Sequence, residues 1–328
     1  MSPLLSIQNL KTFIETPGKE PPVKAVDGVN LDLFPGELLA LVGESGCGKT
    51  MLALSIGRLL PPFGKIVQGR IFFEETDLTT LSEEKLCKLR GRRIAYVFQD
   101  PFTALNPVLR IGDQLAESLS LHQNLTGKAA WEKAKDLLDQ VQIPLAPERL
   151  RQYPHQLSGG MLQRVVIAMA LAGGPSLLIA DEPTTSLDVT TQAEILSLLK
   201  RLQKELTMAI LLITHDLAAV APLADRIVVM YAGRIVEEAK TQRLYGFPQH
   251  PYTQALLSCI PKVGLGRQSL AAIPGSVPDL RTPPSGCPFH PRCPEAISQC
   301  REEEPSLKET FQEQKVSCWR REPGVKTG

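Results

Sequence analysis

The chain has 328 residues, 43% of them apolar, enough for one large domain with an appendage or for two ordinary domains. Lysine plus arginine number 36 and aspartate plus glutamate 35, so the formal net charge is only +1; no global electrostatic footprint for nucleic acid exists, and none is expected as a partner. The N-terminus lacks a basic start followed by a long apolar stretch, and runs such as VVIAMALA at 165–172 are too short to span a bilayer; the expectation is a cytosolic chain whose membrane contact is peripheral.

From the N-terminus, LLSIQNL, VNLDLF and ELLALV read as strands separated by turns at TPGKEPP and FPG, and IVQGRIFF and RIAYVF continue the pattern up to residue 98. Between about 101 and 165 the period becomes helical, as in IGDQLAESLSLH and AAWEKAKDLLDQVQI, which predicts an inserted helical subdomain. SLLIAD and AILLITHD follow, two short apolar runs of the kind buried in a parallel sheet, with the amphipathic helix TTQAEILSLLKRLQKEL between them. This order is α/β. Beyond about 260 the chain becomes proline-rich and strand-poor, so residues 1–260 are read as the main domain and 261–328 as a separate extension that buries little core of its own. No internal repeat is visible.

GESGCGKT satisfies G-x-x-x-x-G-K-[ST] between the strand ELLALV and the helix TMLALSIGRLL. Gly43, Glu44, Ser45, Gly46, Cys47, Gly48, Lys49 and Thr50 are therefore expected to bind the phosphates of ATP. The glycines let successive backbone N–H groups turn inward, and the helix N-terminus adds the positive end of its dipole. Lys49 would reach the β- and γ-phosphates and the Thr50 hydroxyl would bind Mg²⁺. A glycine-rich turn without a ligand is the plain alternative, and the strand–helix context argues against it. SLLIADEP supplies the rest of a hydrolytic apparatus: Asp181 to hold Mg²⁺ through water and Glu182 to polarise the attacking water. Cys47, at a helix N-terminus beside Lys49, is expected to be a stabilised thiolate open to a maleimide, although a small residue tolerated at a variable position explains its presence.

Together with LSGGM, FQD, ADEPTTSLD and ITHD, in order along residues 5 to 245, these motifs resemble the ATP-binding subunit of an ABC transporter. The resemblance implies a RecA-like P-loop core with an antiparallel β subdomain, working as a head-to-tail dimer around two ATP. It implies that Gln99 senses the γ-phosphate and reaches Mg²⁺. Ser158, Gly159 and Gly160 would cap the ATP held by the other subunit, Asp188 would lie at the dimer seam, and His215 would face the γ-phosphate. Ser158 before two glycines and the helix MLQRVVIAMALA also reads independently as a cap with free N–H groups. Met161 departs from the family's usual glutamine, with little loss expected because the donors are backbone groups. Phe13 is the candidate for the adenine-stacking aromatic, with a core phenylalanine as the alternative.

YPHQLSGGMLQR, FQDPFTALNP, VMYAGRIVE and PQHPYTQALL followed by a cysteine-bearing tail resemble the D-type ATPase of dipeptide, oligopeptide and nickel importers. This implies a peripheral subunit on the cytoplasmic face of the inner membrane, bound to two permease subunits that accept cargo from an extracytoplasmic binding protein. A second ATPase, an F-type homologue or another copy of this chain, would complete the pair. Peptides are the expected cargo, with nickel or another small solute as the alternative. A soluble ABC ATPase of DNA repair or of the ribosome fits less well, since a second cassette, a long coiled coil and a basic surface are all missing.

The tail carries Cys287, Cys293, Cys300 and Cys318, spaced C-x₅-C-x₆-C-x₁₇-C, while Cys87 and Cys259 stand alone as ordinary small side chains. Thiols clustered in a reducing compartment point to a metal. Zinc sites usually pair their cysteines closely, and an iron–sulfur cluster accepts wider loops; spacing alone does not separate these from four unliganded thiols. The resemblance implies a [4Fe–4S] cluster, placed ahead of zinc, with a structural role and redox sensing as the weaker option. His290 could replace a ligand, but as an intervening loop residue it is read as solvent-facing.

Overall fold

A computed structural model describes residues 2–16, 18, 20–260, 273–310 and 313–321. The strands in chain order are β1 (Leu5–Ile14), β2 (Val23–Leu33), β3 (Leu38–Val42), β4 (Gly64–Phe73), β5 (Thr76–Asp77) and β6 (Ile94–Val97), then β7 (Leu177–Asp181), β8 (Ala209–Thr214), β9 (Arg226–Tyr231), β10 (Arg234–Lys240), β11 (Lys308–Glu309) and β12 (Lys315–Val316). The chain forms two compact units, one of residues 1–33, 39–79 and 214–328, the other of 34–38 and 80–213.

The first unit contains an antiparallel sheet in the order β2-β1-β4-β5 and a mixed run β11-β12-β10-β9-β3. β3, LLALV, is buried at every position and pairs in parallel with β9 from Leu39↔Arg226 to Val42↔Val229. An apolar run without alternation suits a strand covered on both faces. β10 folds back antiparallel on β9, and β12 pairs with β10 through Glu237↔Val316 and Glu238↔Lys315.

The second unit holds the parallel run β8-β7-β6, with β7 and β8 buried throughout. Its helices include Ile111–Gln123, Gly127–Gln140, Gly159–Leu171 and Val189–Leu206. Two carry side-chain N-caps: Ser158 Oγ accepts from the Met161 N–H at 3.4 Å, and Asp188 Oδ1 accepts from Thr190 and Thr191 at 3.1 and 3.0 Å. Each cap satisfies N–H groups that a helix start leaves without intrahelical partners. The helical segment expected over 101–165 is helical, and its last helix continues to Leu171.

The tail differs from the expectation of a separate extension. The boundary at 261 lies outside the described residues, but the described part of the tail belongs to the first unit and borrows that unit's core. Phe289, 1% exposed, meets Tyr231 edge-on with ring centroids 5.2 Å apart and Tyr252 at 5.3 Å. A segment too short to build an apolar core gains one by packing aromatics against another element.

Glu237 of β10 ties these pieces together. It is fully buried and accepts from the backbone N–H groups of Gln249 and His250 at 2.8 and 2.9 Å and from Gln314 Nε2 at 2.5 Å. Burial pushes its carboxyl pKa up, opposed by these hydrogen bonds. Glu237→Ala leaves two backbone donors buried without an acceptor, and a loss of about 2–4 kcal/mol is expected. Glu237→Gln, which keeps one acceptor oxygen, should lose less. Urea unfolding of the full chain checks both, and an unchanged midpoint in the alanine variant contradicts the assigned role.

Candidate active site

The expected nucleotide residues are divided between the two units. In the first, the loop Gly43–Thr50 joins β3 to the helix Lys49–Ile56. Gly48 adopts φ 106°, and a Cβ there would lie 2.0 Å from the Ala25 carbonyl oxygen, so only glycine fits the turn. Ser45, Gly46 and Thr50 are exposed, whereas Lys49 is buried and donates from Nζ to the carbonyl oxygens of Gly43 and Glu44, both at 2.9 Å. The cation is thereby fixed within the loop instead of ranging in solvent. Phe13 is half-buried on β1 opposite Lys65, and its neighbour Thr12 shares a buried 2.8 Å hydrogen bond with Ser55 of the loop's helix. His215, exposed, directly follows β8, where Thr214 Oγ1 accepts from the Asp216 N–H at 3.0 Å.

Cys47 corrects the expectation of a reactive thiolate. It is fully buried, and its pKa is raised: desolvation outweighs the opposing pull of the Lys49 charge and hydrogen bonds. A thiol closed off and held protonated is a poor maleimide target. Its carbonyl accepts from the Gly233 N–H at 2.8 Å, a packing role.

In the second unit, β6 and β7 run parallel with Val97 opposite Ala180, so Gln99 and Glu182 both leave the sheet at its C-terminal edge, beside Asp181 at the end of β7. That edge is where open α/β sheets bind ligands. Glu182 has φ 47°, an uncommon conformation for a side-chain-bearing residue, costing of order 1–3 kcal/mol. It is held by its N–H donating to Ile213 O at 2.9 Å, while its carboxylate accepts from Thr185 Oγ1 at 2.8 Å. The same unit brings Ser158, Gly159 and Gly160 against the segment that contains Asp188. A Cβ on Gly160 would sit 2.6 Å from Thr191 Cγ2, and one on Gly159 would sit 3.4 Å from Leu187 Cδ2. Ser158 remains exposed. Asp188 also accepts from Thr191 Oγ1 at 2.7 Å, and these hydrogen bonds hold its carboxyl pKa below the usual value.

Cys287, Cys293, Cys300 and Cys318 line one small cavity with His250, Phe289, His290 and Glu295. His290 is half-buried and its Nδ1 lies 2.9 Å from the Cys287 carbonyl, so it does not simply face solvent. Burial pushes the Cys287 thiol up to about 12 and the Cys293 thiol up to about 11, and the neighbouring thiols add to both shifts. Among the described residues, no group of three or more His, Cys, Asp or Glu is placed to hold a metal ion.

Sequence reasoning missed the residues that brace the phosphate loop from a distance. Tyr252 Oη accepts from the Glu44 N–H at 2.9 Å, and Arg292 grips the Glu44 carboxylate at 2.8 and 3.0 Å. They lie 208 and 248 residues away, so no local spacing signals them.

Two family models match the chain: ABC transporter over residues 26–185, and oligopeptide/dipeptide transporter, C-terminal region, over 236–300. A dipeptide transport ATP-binding protein of Bacillus subtilis is 48% identical over 97% of this chain and 95% of its own length. A probable peptide ABC transporter ATP-binding protein of Sinorhizobium fredii is 49% identical, covering 97% and 95%. Among solved structures, a dimeric ATP-binding cassette in a post-hydrolysis state with ADP and Pi superposes with a TM-score of 0.65 at 29% identity, over 72% of this chain and 98% of that one. With the phosphate loop, the Asp181–Glu182 strand end and the Ser158 cap in place, these matches establish that the chain belongs to the ABC transporter family, in its oligopeptide and dipeptide ATP-binding branch.

Proposed function

We propose that this chain binds and hydrolyses ATP to drive import of peptides through a membrane transporter. The observation that carries the reading is the Gly43–Thr50 loop, with its glycine-only turn and its captive Lys49. Its backbone N–H groups and Lys49 bind the β- and γ-phosphates, neutralising charge that builds up in the transition state. Thr50 and Gln99 would hold Mg²⁺ directly and Asp181 through water; the ion neutralises phosphate oxygens. Glu182, kept by its strained backbone at the end of β7, orients and deprotonates the attacking water, and His215 contacts the γ-phosphate. Ser158, Gly159 and Gly160 cap the nucleotide of a second ATPase subunit, either an F-type homologue or another copy, and Asp188 lies at that seam. Phe13 stacks on the adenine.

The relatives are named as peptide transport and peptide ABC transporter ATP-binding proteins, which supports partners in a membrane transporter. The reading includes two separate permease subunits; among the described residues no helix is long and apolar enough to cross a membrane. Phe98, Phe102, Val108 and Leu109, 38–75% exposed around Gln99, offer an apolar surface suited to them. The chain would sit on the cytoplasmic face of the membrane, with cargo delivered by an extracytoplasmic binding protein.

On the family resemblance, the four thiols are read as ligands of a [4Fe–4S] cluster ahead of zinc. The four thiols line one small cavity, and a [4Fe–4S] cluster takes one thiolate at each corner. The group would cross-link the tail, and Cys287, Cys293, Cys300 and Cys318 would hold it.

Glu182→Gln should retain ATP binding and cut phosphate release from the assembled transporter by on the order of a hundredfold or more. A wild-type rate removes the assignment. Protein purified without oxygen should contain about four irons per chain and absorb in the visible, as expected for thiolate-bound iron. Cys293→Ser should bleach it. Colourless protein with one zinc per chain overturns the cluster and leaves the ATPase standing.

A further inference from the structure

Glu44 occupies one of the free positions of G-x-x-x-x-G-K-[ST], so phosphate binding does not require a carboxylate there. An anion in a loop built to receive a polyanion should repel it. The structure pairs that charge. Arg292 Nη1 and Nη2 donate to Glu44 Oε2 and Oε1 at 2.8 and 3.0 Å, a two-pronged contact that lysine cannot reproduce. The Arg292 side chain is 4% exposed. Its Nε donates to the Pro274 carbonyl at 2.8 Å, and its guanidinium carbon lies 5.8 Å from the Tyr231 ring centre and 6.0 Å from that of Phe289. The guanidinium is therefore aimed at Glu44 by packing on every side.

Glu44 is held at three points. Its N–H donates to Tyr252, its carbonyl accepts from Lys49, and its carboxylate accepts from Arg292. Arg292 comes from the turn His290–Arg292, between Cys287 and Cys293, so its side chain links the cysteine-rich tail to the phosphate loop.

We propose that Arg292 is a positioning residue of the nucleotide site: it neutralises Glu44 and thereby sets the chain's affinity for ATP. The proposal rests on the ATP-binding reading above. Arg292 does not touch the reacting atoms, so its effect falls on binding and not on the chemical step.

The test uses the full chain and its assembled transporter, with ATP as the probe. Arg292→Gln leaves the Glu44 charge bare, and the Kd and KM for ATP should rise about tenfold with kcat at saturating ATP unchanged within about twofold. The loss should shrink at high salt, because the repulsion is electrostatic. Arg292→Lys, which keeps the charge without the two-pronged contact, should fall between and guards against a folding defect in the glutamine variant. The decisive arm is the double variant Arg292→Gln with Glu44→Gln: with both charges gone, ATP affinity should recover above that of Arg292→Gln alone. A purely structural role predicts no recovery, and a double variant as weak as or weaker than Arg292→Gln overturns the proposal. So does unchanged KM in Arg292→Gln. Wild-type protein that fails to bind ATP removes the nucleotide reading itself, a result distinct from either.

Discussion

The turn at Gly48 is the constraint on which the proposed nucleotide site depends. With φ 106° and no room for a Cβ against the Ala25 carbonyl, the chain reverses into the helix Lys49–Ile56 at a position that places Lys49 inside the loop. The same tight turn closes Cys47 into the core and leaves Ser45, Gly46 and Thr50 outward. One backbone conformation thus decides which neighbours face outward and which become packing. The buried ammonium is tolerable because two carbonyls accept from it.

Strain and support are paired again at Glu182. Its left-handed backbone persists because the N–H is anchored on β8 and the side chain on Thr185. Ser158 and Asp188 show the economical version of the same device: each satisfies the open end of its own helix, and the two caps lie at the start of helices that meet at Gly160 and Thr191. Asp181, Ser158 and Asp188 thus each stand at the end or the cap of a regular element, and Glu182 and His215 directly follow one.

What was legible in the sequence is what is local. The apolar runs of β3, β7 and β8 announce covered strands, and the phosphate-loop and Ser158 motifs each complete their geometry within a few residues. Cys47 misled because its neighbours in sequence, a lysine and a helix start, favour a thiolate, whereas the burial that reverses the balance is contributed by distant chain. The tail misled likewise: proline-rich composition concealed that Phe289 would find Tyr231 and Tyr252. Arg292 was invisible among ordinary loop arginines, since its meaning lies 248 residues upstream.

The pairing of β12 with β10 has a temporal consequence. Lys315 reaches Glu238 across 77 residues, so while the chain is being synthesised β9 and β10 are made long before the strand that covers the outer side of β10. Until then that side presents open N–H and C=O groups, a template for a neighbouring nascent chain. Closing so distant a contact is also slow, because a long loop must be ordered first. β12 is thus made long after β10, and the interval before it docks leaves that edge of β10 open to wrong pairing.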